Sequence, residues 1–227
     1  MDDDSKIKDF SFEKKTGRDM KFKLPWWCNV GWKKQEWDGL DECFAAADLG
    51  NMYIPNMDKV KEQIMDALRV RDQGENIFGL CGPNKRVDYF VETTIRRAER
   101  DRLFQNIVTT TVTEKPDITK IQTEIGDAIG LNFDDKRDLA ESNCCMCFGN
   151  NKRITTAERA RLLFAKMKEL QTVLVVLYDL HGRLDLGEIG IPFGEDHNGC
   201  KILLTSTSLE VLSEQMKVHK LIQLSET

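Results

Sequence analysis

Apolar positions along this chain follow two periods. The stretch Thr172–Asp179, TVLVVLYD, holds five Val or Leu in eight residues with no polar alternation. Such a run predicts a strand buried on both faces, at the centre of a parallel sheet covered by helices. It ends in Tyr178 and Asp179, at the carboxyl end where open α/β sheets take their ligands. Lys201–Thr205 is a second apolar strand and ends in hydroxyls. Asn76–Cys81 and Leu103–Val112 supply two more, the latter through the β-branched run 107–112, and Lys220–Leu224 is a last apolar stretch.

Between these runs the period lengthens to that of a helix. In NMDKVKEQIMDALRV, Asn56 suits an N-cap and Val60, Ile64 and Leu68 recur every fourth residue. A helix is predicted from the turn Gly82-Pro-Asn-Lys85 to about Arg102. Pro116 and Asp117 open another, with Ile118, Ile121, Ile125 and Ile129 as its apolar stripe and Gly130 as its stop. Thr155 and Glu158 form a capping-box signature for a helix reaching Leu170, and a short helix is expected over 209–216. Strand and helix alternate, so the class is α/β with a mainly parallel sheet. Residues 1–55 read as a separate irregular segment, and 56–227 as the folded domain.

Composition narrows the function. The chain is 41% hydrophobic and 31% charged with net charge −5, which gives no global attraction for nucleic acid. No apolar run is long enough to span a bilayer, and nothing resembles a secretory leader. Seven unevenly spaced cysteines then fit reduced thiols and a cytoplasmic location. In the first segment, basic residues are interleaved with Trp26, Trp27, Trp32 and Trp37. These are read as aromatics packing on the domain edge, ahead of a single-strand or membrane contact. Cys144, Cys145 and Cys147 lack the partners of a zinc site and are read as a reduced loop. His181, His197 and His219 show no base–nucleophile spacing.

A strand, a glycine-bearing turn and a helix, with a later apolar strand ending in a carboxylate, is the layout of a phosphate-binding nucleotide domain. LFQNIVTTTVTEKPDITKIQTEIGDAIGL (103–131), TVLVVLYDLHGRLDLGEIGIPFGEDHNGCKILLTSTS (172–208) and VLSEQM (211–216) closely resemble plant NB-ARC disease-resistance proteins of the coiled-coil branch. The resemblance spans roughly 56–227. It implies a three-layer P-loop NTPase-like fold, with a further strand between the loop strand and the carboxylate strand. It also implies an ADP/ATP switch with Mg²⁺. The helical subdomains and leucine-rich repeats that follow in the family are not expected in this sequence.

Laid without a gap on the family's GMGGVGKTT loop, the chain reads Gly79-Leu-Cys-Gly-Pro-Asn-Lys-Arg-Val87. Gly79, Gly82 and Lys85 match. Cys81 and Asn84 replace glycines, Arg86 and Val87 replace threonines, and Pro83 lacks an N–H. Of the family's two aspartates after the apolar strand only Asp179 remains, as the candidate metal ligand; Tyr178 takes the first place, and His181 the place of a tryptophan. In Thr205-Ser-Thr-Ser208, Thr207 stands where the family has arginine. The candidate nucleotide-site residues are therefore Gly79, Gly82, Asn84, Lys85, Arg86, Asp179 and Thr205.

Each lost charge-assisted phosphate contact costs about 1.5–3 kcal/mol, roughly ten- to a hundredfold in affinity. The reading is a degenerate nucleotide domain acting by association with other NB-ARC receptors or defence-signalling proteins. The alternatives are a working ADP/ATP switch with little hydrolysis and a remnant without function. Restoring Gly and Thr at Asn84 and Arg86 is expected to raise nucleotide affinity where the rest of the pocket is intact.

Overall fold

The computed structural model describes residues 57–70, 74–133 and 154–224. The tryptophan-rich segment and the Cys144–Cys147 loop lie outside the described residues. Five helices and five strands are named here in chain order. Helix α1 (Met57–Arg69) turns Ile64, Met65, Ala67 and Leu68 inward, as its four-residue period requires. Strand β1 (Ile77–Cys81) is buried throughout. Helix α2 (Asn84–Arg100) buries a stripe that includes Val87, Phe90, Val91, Thr94 and Ala98. Strand β2 spans Asn106–Thr111, shorter than the apolar pattern predicts, because Leu103 and Phe104 belong to the turn that follows α2.

Helix α3 (Ile118–Ile129) starts at Asp117, whose carboxylate accepts from the Lys120 N–H, and stops at Gly130 in the left-handed conformation (φ 76°). Helix α4 (Thr156–Glu169) carries the full capping box: Thr155 and Glu158 each satisfy the other's backbone N–H. Strand β3 (Val173–Tyr178) follows. The connection to β4 holds a short helix α5 (Leu186–Ile189) and a 3₁₀ turn (Gly194–Asp196), neither evident from periodicity because both are shorter than one apolar repeat. Strand β4 is Cys200–Ser206 and β5 is Lys220–Gln223. Between them the predicted short helix is mostly a π turn, Val211–Gln215.

The strand order is β2-β3-β4-β1-β5 and all four pairings are parallel. Strand β4 thus lies between β1 and β3, where the resemblance put an extra strand. Alternation along the strands feeds two cores. On one face Val173, Val175, Leu177, Ile202 and Leu204 meet Ile121 and Ile125 of α3 and Leu163 and Met167 of α4. On the other, Phe78, Leu80, Leu174, Val176 and Leu203 meet Ile64 and Leu68 of α1 and Phe90 and Val91 of α2. Helices on both faces explain why β3 and β4 read as unbroken apolar runs.

Two buried amides tie the connections to these layers. Asn76, fully buried, donates to the carbonyls of Pro192 and Cys200 and accepts from the Gly194 N–H. Gln122 donates through Nε2 to the carbonyls of Thr156, Glu188 and Ile189, joining α3 to both α4 and α5.

Candidate functional site

The carboxyl ends of β1, β3 and β4 converge on the start of α2. Strand β1 is in register with β4 from Ile77↔Ile202 to Cys81↔Ser206, and the pairing runs one residue further. There the Gly82 N–H donates to the Ser206 carbonyl at 3.2 Å. Only Gly82 and Pro83 separate β1 from Asn84, the first residue of α2. Pro83 is the N-cap with extended backbone, and no side chain caps the helix. Its carbonyl accepts from both the Arg86 N–H (2.9 Å) and the Val87 N–H (3.0 Å).

The predicted residues are therefore distributed unevenly. Gly79 sits inside β1, three residues ahead of the turn, and a Cβ there would meet Leu221 Cδ1 at 3.0 Å and Val218 Cγ2 at 3.1 Å. Gly82 is at the turn, where a Cβ would meet Leu224 Cβ at 2.8 Å. Asn84 and Lys85 are exposed at the helix start, whereas Arg86 is buried. Cys81 ends β1 with its thiol against the Thr207 carbonyl, and burial raises its pKa.

Asp179 and Thr205 are brought together across β3 and β4. Asp179 adopts a left-handed backbone (φ 60°), which Asp tolerates better than most residues. Its N–H donates to Thr205 Oγ1 at 3.0 Å. The next residue is held the same way: the Leu180 N–H donates to the Thr205 carbonyl, and Ser206 Oγ donates to the Leu180 carbonyl. The Asp179 carboxylate lies 3.4 Å from His181 Nε2. Thr205 Oγ1 is thereby engaged as a backbone tether for the turn.

Two charged neighbours escaped the sequence reading. Asp88 and Glu92 are half-buried on α2, and their charges reach Tyr178 at this end of β3. Burial raises the Asp88 pKa, with the charges of Asp179 and Glu92 adding to the effect. Burial likewise drives the Tyr178 phenol well above its ordinary value, again with Asp88 and Glu92 contributing. The signal was present, since Asp88 and Glu92 are spaced i, i+4 and share a helix face, but only the fold says which face meets Asp179. Asp88 thus feels two carboxylates, Asp179 across the fold and Glu92 on its own helix, while Glu92 is paired with Arg96 and Asp179 faces His181. Among the described residues, no group of three or more His, Cys, Asp or Glu is arranged to hold a metal ion.

Residues 57–226 match the family model described as NB-ARC domain. A probable disease resistance protein from Arabidopsis thaliana is 32% identical over 109 residues, covering 48% of this chain and 10% of that protein. Disease resistance protein SUMM2 from the same plant is 25% identical over 145 residues, covering 63% of this chain and 14% of that protein. The matched stretch is therefore a small part of each relative. Among solved structures, the Aeropyrum pernix ORC1 protein in complex with DNA aligns at TM-score 0.47 and 12% identity, over 81% of this chain and 48% of that one. A Walker-type ATPase of Pyrococcus abyssi aligns at 0.45 and 10% identity, over 76% and 53%.

Proposed function

This chain belongs to the NB-ARC domain family, and from that premise we propose a plant resistance-type protein that works by associating with other proteins, its nucleotide site being degenerate. The partners are full-length receptors of the same family or other defence-signalling proteins. Family membership carries nucleotide binding, generally with Mg²⁺, as the ancestral property. ADP and ATP are the ligands the resemblance specifies, with Gly79, Gly82, Asn84, Lys85, Arg86, Asp179 and Thr205 as the residues it places at the nucleotide and Asp179 as the one it places at the metal.

One observation carries the degenerate reading. Where a hydroxyl and a carboxylate would share a magnesium ion, the chain presents a buried Arg86 and a half-buried phenol, Tyr178, and of the paired carboxylates only Asp179 survives, its charge felt by Asp88 of α2. A metal-bound phosphate would there lack both the hydroxyl and the first carboxylate, with Asp179 left alone to hold the ion. The second reading, a retained ADP/ATP switch with little hydrolysis, draws on Lys85, still exposed at the start of α2.

Thermal unfolding with and without ADP–Mg²⁺ separates the two. A bound ligand at about a hundred times its dissociation constant adds about 2.7 kcal/mol. On a domain of this size that is a rise of roughly 5–10 °C. The degenerate reading expects no rise at millimolar ADP. Co-precipitation of the chain with a co-expressed full-length resistance protein tests the association, and its absence across a panel of such receptors would sink that half. No helix among the described residues is long and apolar enough to cross a membrane.

A further inference from the structure

We infer that the length of the β1–α2 link, ahead of the residue exchanges at positions 84 and 86, is what removes phosphate binding from this chain. The inference rests on the degenerate reading above and names its cause. A phosphate cradle of this class places four residues between two glycines, outside the strand and ahead of the lysine, so that successive amides converge on the anion. Here β1 runs to Cys81 and α2 begins at Asn84, leaving Gly82 and Pro83 alone for the whole turn. Such a link cannot wrap a phosphate.

The amides that exist are spent elsewhere. The Gly82 N–H extends the β1–β4 ladder to the Ser206 carbonyl, Pro83 has none, and those of Arg86 and Val87 close on the Pro83 carbonyl. The Asn84 and Lys85 amides are left, two donors at an otherwise uncapped helix start. The glycines are likewise accounted for by packing. Leu224, whose N–H donates to the Cys81 carbonyl at 2.8 Å, seats its side chain over Gly82, and Leu221 and Val218 fill the space over Gly79. Both glycines thus serve the close approach of the chain around β5. The residues present do not fit the phosphates of a nucleotide, and exchanging side chains in a two-residue turn leaves the missing backbone missing.

Inserting Gly-Val-Gly between Asn84 and Lys85 would make Gly82 the first glycine of a full-length loop, and R86T would add the hydroxyl. The test is calorimetric titration with ADP–Mg²⁺ of three full-length chains: wild type, N84G/R86T, and R86T carrying the insertion. The expected result is no binding by the first two at about 1 mM ligand and a dissociation constant at least about tenfold lower for the third. The inference is overturned if N84G/R86T gains that tenfold, or if the lengthened chain, folded by circular dichroism, binds no better than N84G/R86T. Should the lengthened chain not fold, amide exchange in the wild type decides: a protected Gly82 N–H upholds the closed turn, and one exchanging at open-loop rate refutes it. Tight ADP binding by the wild type would instead bring down the degenerate reading itself.

Discussion

Replacing Gly190 with alanine tests how closely α5 is pressed onto α4. Gly190 ends α5 at φ 97°, and a Cβ built there would lie 2.2 Å from the Ala160 carbonyl oxygen and 2.7 Å from its Cα. Non-bonded carbon atoms are at ease near 3.5–4.0 Å, so the two helices would have to part by roughly 1 Å. Two costs combine. The left-handed backbone costs an alanine about 1–2 kcal/mol, partly offset by about 0.4–1 kcal/mol from the less flexible unfolded chain. Forcing backbone apart in a packed core adds about 1–3 kcal/mol. Gly130 supplies the control: it too is left-handed, at φ 76°, but a Cβ there meets nothing within 4 Å. G130A should therefore cost only about 1 kcal/mol, and G190A about 2–4 kcal/mol. Urea unfolding of both variants under the same conditions measures the difference. Values within about 0.5 kcal/mol of each other, near the scatter of such measurements, would refute the close packing of α5 on α4.

Three further outcomes follow from the same contacts. Asn76→Ala strips partners from the Pro192 and Cys200 carbonyls and the Gly194 N–H, and should cost about 2–4 kcal/mol in urea unfolding. Asp88 has a raised pKa in the fold, so its stabilising contribution is fully present below its ordinary, unfolded value and is lost as pH rises through the raised one. D88N should accordingly be more stable than wild type at neutral pH and lack that part of the pH slope, as read from melting temperatures across the acidic range; an unchanged slope would exclude the raised Asp88 pKa, which burial causes first and the charges of Asp179 and Glu92 reinforce. Burial pushes the Cys200 thiol up to about 12, so it should resist alkylation at pH 8 until the protein unfolds, as followed by peptide mass mapping.

The sequence by itself determined the elements whose causes are local. Five consecutive buried residues made β3 unmistakable, and the caps at Asp117, Gly130, Thr155 and Glu158 are short-range geometry that survives in any surroundings. The long runs at 103–131 and 172–208 were enough to reach the family. Tertiary structure alone decided where the strand ends and what packs on the turn. The ungapped alignment began the loop at Gly79, because glycine in sequence signals a turn as readily as it signals a neighbour passing close. Only the pairing of β1 with β4 and β5 shows that the strand continues to Cys81 and that Leu221 and Leu224 lie over its glycines. Asp88 and Asp179 are distant in sequence, and Asp88 feels Asp179 only because α2, in joining β1 to β2, crosses the sheet past β4 and β3. Local periodicity carries no information about which helix face a distant strand will meet, since that contact is set by topology and packing.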